Sequence, residues 1–231
     1  MEKNIVLFGD SIAKGLKIQN GRPVKLNKNA VEIIEKSLNI TINNQSCFGQ
    51  TVSRLCRKKL IDEYVNNINK DQENIVVFNL GGNDADFDWK KVAENPQAMH
   101  EANTSLDNFR NCYINIIKTL QENNVKVYLC TLPPVNSHYF YENYIKNLVG
   151  NDKVLEYFAG DLSLISRHQE LYSQAIMEIA FEYNVPLIDL RKEFLKQKNL
   201  VHLYSEDGIH PNEEAQELIA KTIIEFFKKV L

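Results

Sequence analysis

The residues best suited to chemistry stand at opposite ends of this chain. Ser11 lies in Gly9-Asp10-Ser11, directly after the apolar run Ile5-Val6-Leu7-Phe8. Asp207 and His210 lie in Asp207-Gly208-Ile209-His210-Pro211, just before the last helical pattern. A serine hydroxyl is a weak nucleophile until a base takes its proton. Histidine is the side chain whose neutral form can do so near neutral pH. An aspartate three residues earlier lets one turn hold a carboxylate against the other ring nitrogen, fixing the tautomer. Together these are the parts of an acyl-transfer triad if the fold joins the two ends. If it does not, they are turn and cap residues. A tetrahedral intermediate also needs hydrogen-bond donors. The Ser11 N–H, the Gly49 N–H and the Asn83 side-chain amide are the candidates.

Positioning these groups requires a particular frame, and the patterning predicts one. Buried-strand runs fall at Ile5 to Phe8, Ile40 to Asn43, Asn74 to Leu80, Val125 to Leu132 and Val185 to Leu190. Helical periodicity falls between them, over 28–37, 51–67, 104–122 and 162–183. Asn212 is placed to cap a final helix to about Val230, with Glu213 and Glu214 in its first turn. Alternating strands and helices imply βαβ units and a mostly parallel sheet covered on both faces. Ligands bind such sheets at the C-terminal strand edge. Ser11, Gly49, Gly81-Gly82-Asn83-Asp84 and Pro133 all follow strands and gather at that edge. The aromatic segment from Val135 to Ala159 either packs on the core or forms a substrate wall. His138, Tyr139, Phe140 and Tyr141 are its candidate contacts.

Composition narrows the field. The chain has 231 residues, 44% hydrophobic and 25% charged, which suits one globular domain over 1–231. A net charge of -3 gives no footprint for nucleic acid, and Arg54, Arg57, Lys58 and Lys59 read as the wet face of a helix. No stretch approaches a membrane span, and Met1 to Asn4 lead straight into a short apolar run unlike a signal segment. A cytoplasmic protein with four unpaired thiols (Cys47, Cys56, Cys112 and Cys130) is expected. His202, Glu206 and Asp207 could be called a metal cluster, but the triad explains Asp207 better, so neither metal nor cofactor is expected. Gly9 and Gly15 fit neither phosphate-loop spacing, and G-x-S-x-G is absent. Asp10 and Asp84 read as loop-supporting acids.

The four blocks resemble the SGNH hydrolases, the GDSL esterase/lipase family. Gly9 to Gly15 matches the first block, Asn44 to Gly49 the second, Gly81 to Asp84 the third and Asp207 to Pro211 the last. Ile12 stands where the family name has leucine, and the second block rests on Gly49 alone. The resemblance implies a flavodoxin-like three-layer α/β/α sandwich with a five-stranded parallel sheet. It implies Ser11 as nucleophile, Asp207 and His210 as its partners, and Gly49 and Asn83 in the oxyanion hole. The activity expected is hydrolysis of a carboxylic ester through an acyl-enzyme on Ser11. Small O-acyl esters, lysolipids and thioesters are all within range. An acyltransferase on the same triad and a non-catalytic binding protein are the alternatives. No oligomeric state is indicated.

Overall fold

The computed structural model describes residues 2–150 and 152–230. The strands are β1 (Lys3–Gly9), β2 (Leu16–Gln19), β3 (Arg22–Lys25), β4 (Ile42–Asn44), β5 (Glu73–Asn79), β6 (Lys126–Cys130) and β7 (Leu187–Ile188). The helices are α1 (Ala30–Leu38), α2 (Val52–Arg57), α3 (Leu60–Asn67), α4 (Gly82–Ala85), α5 (Trp89–Glu94) and α6 (Leu106–Glu122), then α7 (Ser137–Phe140), α8 (Lys146–Val149), α9 (Lys153–Tyr157), α10 (Ser163–Glu182), α11 (Leu190–Leu195) and α12 (Glu213–Val230). A π-helical turn, Tyr141–Ile145, joins α7 to α8.

The main sheet has the order β4-β1-β5-β6-β7, with every pairing parallel. The period of two along β5 divides its side chains between two cores. Val76 and Phe78 pack with α2, α3, α6 and α10, while Ile75 and Val77 pack with α1, α11 and α12. The result is the expected α/β/α sandwich. Chain connections leave β1 and β5 in opposite directions, which opens a crevice at their C-terminal ends. Ser11 follows β1 and Asn83 follows β5, so the crevice receives both. A third, smaller core of Phe87, Trp89, Phe140, Tyr141, Ile145 and Phe158 sits beyond that edge.

Several elements depart from the patterning. The stretch from Thr51 to Asn67 is two helices rather than one, broken at Lys59, which adopts a left-handed conformation. Its apolar stripe runs across the break because both halves pack on the same core. Arg57-Lys58-Lys59 contains no stop residue, so periodicity could not show the turn. The run Val185 to Leu190 forms only a two-residue strand, because Asp189 then caps α11 by accepting the Lys192 N–H. The second sheet strand falls at Ile42–Asn44 rather than Ile40 to Asn43. The β2–β3 hairpin was not expected. Asn20 and Gly21, both at positive φ, form its two-residue turn.

Candidate active site

The two ends of the chain meet. His210 Nε2 lies 2.8 Å from Ser11 Oγ, and His210 Nδ1 lies 2.5 Å from Asp207 Oδ2. All three side chains are buried. The other Asp207 oxygen accepts three donors: the Ser205 hydroxyl at 3.0 Å, the His210 N–H at 3.1 Å and the Ile209 N–H at 3.3 Å. Burial pushes the Asp207 carboxyl up. The hydrogen bond and charge of His210, with the two backbone N–H groups, outweigh burial and bring it below the ordinary range. Asp207 is therefore an anion wherever His210 needs one.

The loop carrying His210 is fixed by close contact. At Gly208, φ is +77°, and a Cβ there would lie 2.7 Å from the Phe140 backbone nitrogen. Helix α7 rests directly on this glycine. We expect Gly208→Ala to lower stability by about 1–3 kcal/mol through strain and clash. Urea unfolding should show that loss, and kcat should fall as His210 shifts.

Of the proposed oxyanion donors, Ser11 and Asn83 line the cavity at the crevice, and Gly49 is not among its lining residues. Neither the Ser11 nor the Gly49 backbone N–H makes a hydrogen bond among the described residues. Gly49 has φ +67°, and nothing lies within 4 Å of where its Cβ would be. Backbone conformation, rather than crowding, therefore favours glycine there. The Asn83 amide donates to Asp10 Oδ2 at 3.2 Å and to the Gln50 carbonyl at 3.1 Å. Both distances lie at the long end of the N–H···O range. Asp10 also accepts the Ile12 N–H at 2.9 Å. Burial drives its carboxyl up to about 6, only partly countered by the Ile12 N–H and the charge of His210. Asp84 accepts the Val52 N–H at 2.9 Å and so ties the Asn83 turn to the start of α2. Both acids thus make loop-supporting bonds.

Ser11, Asn83 and His210 open onto a cavity of about 90 Å³. Its walls are mainly apolar and include Leu132, Val135, Phe140 and Ile165. Leu132 and Pro133 are held from behind. Arg191 donates to the Leu132 carbonyl at 3.3 Å and to the Gln169 side-chain oxygen at 2.9 Å, and Gln169 donates to the Pro133 carbonyl at 2.9 Å. Of the aromatic segment's candidates, Phe140 lines the cavity. His138, Tyr139 and Tyr141 are not among its lining residues, and the Tyr141 hydroxyl binds Asp152 at 2.8 Å. The exposed Phe48 ring lies parallel to His210 with centroids 6.3 Å apart. Among the described residues no group of three or more His, Cys, Asp or Glu could hold a metal ion, and no helix is long and apolar enough to cross a membrane.

This geometry accompanies a match in sequence. The GDSL-like lipase/acylhydrolase model matches residues 7–218. The chain belongs to that family. It is a carboxylic ester hydrolase of the GDSL type. No curated protein matches it in sequence. Solved structures share its fold. A lipase/acylhydrolase from Enterococcus faecalis has 21% identity and a TM-score of 0.64, with 100% of this chain and 97% of that one covered. A GDSL-family lipolytic protein from Veillonella parvula has 17% identity and a TM-score of 0.67, with 98% of each chain covered. A catalytic mutant of an acetylxylan esterase from Geobacillus stearothermophilus has 17% identity and a TM-score of 0.64, with 97% and 93% covered.

Two supports of this GDSL hydrolase were not foreseen. Gln216 is almost fully buried on α12. Its carbonyl accepts the Ala30 N–H at 2.9 Å, and its amide donates to the Ile12 carbonyl at 3.0 Å. It thereby joins the serine turn to the helix that follows His210. The β2–β3 hairpin braces the histidine loop through Gly21 N–H to Glu206 at 2.7 Å and Ile18 N–H to Ser205 at 3.3 Å. A glutamine within the apolar stripe of α12 was the available signal for the first. Asn20-Gly21 was the signal for the second.

Proposed function

We propose that this GDSL hydrolase cleaves esters of short carboxylic acids through an acyl-enzyme on Ser11. His210 takes the Ser11 proton as the hydroxyl attacks the ester carbonyl. Asp207 holds the imidazole in the accepting tautomer and stabilises the imidazolium. The Ser11 and Gly49 N–H groups and the Asn83 amide receive the oxyanion. The imidazolium then protonates the departing alcohol. Water, deprotonated by His210, releases the acid.

The observation that carries the short-chain assignment is the size of the cavity beside Ser11. About 90 Å³ admits a few carbon atoms, well below the several hundred Å³ of pockets for larger ligands. The acyl group takes this cavity. An alcohol lodged there would be trapped behind the ester bond to Ser11, whereas an alcohol at the mouth leaves freely. The exposed Phe48 offers that alcohol an apolar face. An acetylxylan esterase among the structural neighbours is consistent with an acyl group of this size, and the Enterococcus lipase/acylhydrolase with a wider range.

Initial rates on p-nitrophenyl esters from acetyl to dodecanoyl test this, with Ser11→Ala as blank. The expected kcat/KM peaks between acetyl and butanoyl. A peak at eight carbons or more would contradict it. Asn83→Ala is expected to lower kcat by about 10²–10³-fold with little change in KM, since its amide binds charge that develops in the transition state. A rise in KM at constant kcat would instead assign Asn83 to ground-state binding.

A further inference from the structure

The cavity beside Ser11 holds a carboxylate that ester cleavage does not use. Asp86 follows α4 and lines the cavity together with three aromatic residues, Phe87, Trp89 and Phe140. One Asp86 oxygen accepts the Phe87 N–H at 3.0 Å. The buried Trp89 indole N–H lies beside the same carboxyl and favours its charged form. The second oxygen accepts no hydrogen bond among the described residues, yet it is not sealed from a water-sized group. No lysine, arginine or histidine pairs with this carboxyl among the described residues. His168 of α10 packs against Phe87 with ring centroids 4.7 Å apart, but burial drives its imidazole toward the neutral form. Tyr144 faces Asp86 from the π-helical turn as a neutral phenol, its pKa raised by burial and by the charges of Asp86 and Asp207. His210 is held by Asp207, and Asp10 by the Ile12 N–H and the Asn83 amide. Burial therefore drives the Asp86 carboxyl up to about 7, opposed only by the Phe87 N–H and the indole.

Such a group lacks a counter-charge. An acyl chain ending in a methyl would dry the carboxylate further and leave its charge unanswered. A chain ending in a second carboxylate would be repelled. A primary ammonium supplies a positive charge and N–H donors for the open oxygen. The aromatic walls favour the same ligand, because the face of a benzene or indole ring attracts a cation. A carboxylate set among three aromatic residues is thus suited to an ammonium more than to any neutral group. We propose that Asp86 receives an ammonium on the acyl chain, making this enzyme selective for esters of short amino acids. Asp86 makes and breaks no bond in the reaction; it acts on which ester is turned over. This rests on the reading that the acyl group occupies the cavity.

Two matched pairs of 4-methylumbelliferyl esters test it, each exchanging a terminal methyl for an ammonium: glycyl against propanoyl, and β-alanyl against butanoyl. Each kcat/KM is divided by that ester's rate of hydroxide hydrolysis, which removes the activating effect of the ammonium on the carbonyl. The quantity compared is the ratio within each pair, so loss of folded protein in a variant cancels. Near neutral pH, wild type is expected to favour the ammonium-bearing member of at least one pair by on the order of tenfold or more, because a site built to bond an N–H group rejects the analogue that lacks it. Asp86→Asn keeps the shape and removes the charge, and is expected to lower that ratio several-fold. In wild type the β-alanyl ratio is expected to rise as pH increases through about 7, where Asp86 gains its charge, while His210 acts on both members of the pair alike. That readout needs no variant, and the rise is expected to vanish in Asp86→Asn. Ratios at or below one in wild type, or a preference that survives Asp86→Asn, would overturn the assignment while leaving short-ester hydrolysis intact. No turnover of any of the four esters would instead sink the short-acyl reading, and this assignment with it.

Discussion

Ser11→Ala is expected to lower kcat on an acetyl or butanoyl ester by at least about 10⁴-fold while the protein stays folded. The Ser11 hydroxyl lies 2.8 Å from His210 Nε2, and among the described residues no other hydroxyl or thiol is bonded to that nitrogen. Removing it leaves the oxyanion donors and the cavity, which sustain only the residual catalysis of binding and polarisation. The structural cost is small. Ser11 donates no other side-chain bond, and the turn around it is held by backbone bonds from Lys14 to Asp10 and from Leu16 to Ser11, both 3.0 Å. Circular dichroism and thermal unfolding close to wild type, with turnover lost, is the expected result. Retained turnover would move the nucleophile elsewhere.

Asp207→Asn is expected to cost kcat about 10³–10⁴-fold, and the reason lies in the unequal duties of its two oxygens. One oxygen accepts from Ser205, Ile209 and His210, so an asparagine there keeps its carbonyl in that position. Its NH₂ must then face His210 Nδ1 in place of Oδ2. The imidazole is driven to the other tautomer, with its proton on Nε2 and aimed at Ser11, where it cannot act as a base. Among the described residues no backbone carbonyl bonds Nδ1 to offset this. The loop bonds survive, so the melting temperature is expected to move by a few degrees at most. In the wild type the lowered Asp207 carboxyl adds stability that is present above the pKa of the unfolded side chain, about 3.9, and is lost as pH falls through the lower folded value. A steady-state comparison of Asp207→Asn with Asp207→Ala checks the tautomer argument. The asparagine variant should be no better than the alanine one, despite closer isosterism.

The residues proposed to carry the reaction were the most legible part of the chain. Ser11, Asn83, Asp207 and His210 each follow or precede an element with a strong periodic signature, and short motifs mark them. The sheet was legible for the same reason, since Ile75 to Phe78 and Val127 to Cys130 are buried on both faces and read as continuous apolar runs. The acyl cavity was not. Its walls come from the segment after β6 and from α4, α5, α7 and α10, and no local pattern brings Trp89, Leu132 and Ile165 together. Of the aromatic segment's four named residues, only Phe140 lines the cavity. Helical geometry puts adjacent residues on different faces, so Tyr141 shares the third core with Phe140 without lining the cavity. Gln216 escaped notice because a buried amide inside an apolar stripe looks like a surface residue until its two backbone partners are known.

The account turns on Ser11 being the group that becomes acylated, and one measurement addresses that claim directly. Wild-type protein, Ser11→Ala and His210→Ala are each treated with a small fluorophosphonate, and the adduct is located by mass spectrometry of the digested protein. One phosphonyl group on the peptide containing Ser11 in wild type, none in Ser11→Ala, and greatly slowed labelling in His210→Ala is the predicted result. An adduct on another residue, or equal labelling of wild type and Ser11→Ala, would contradict it.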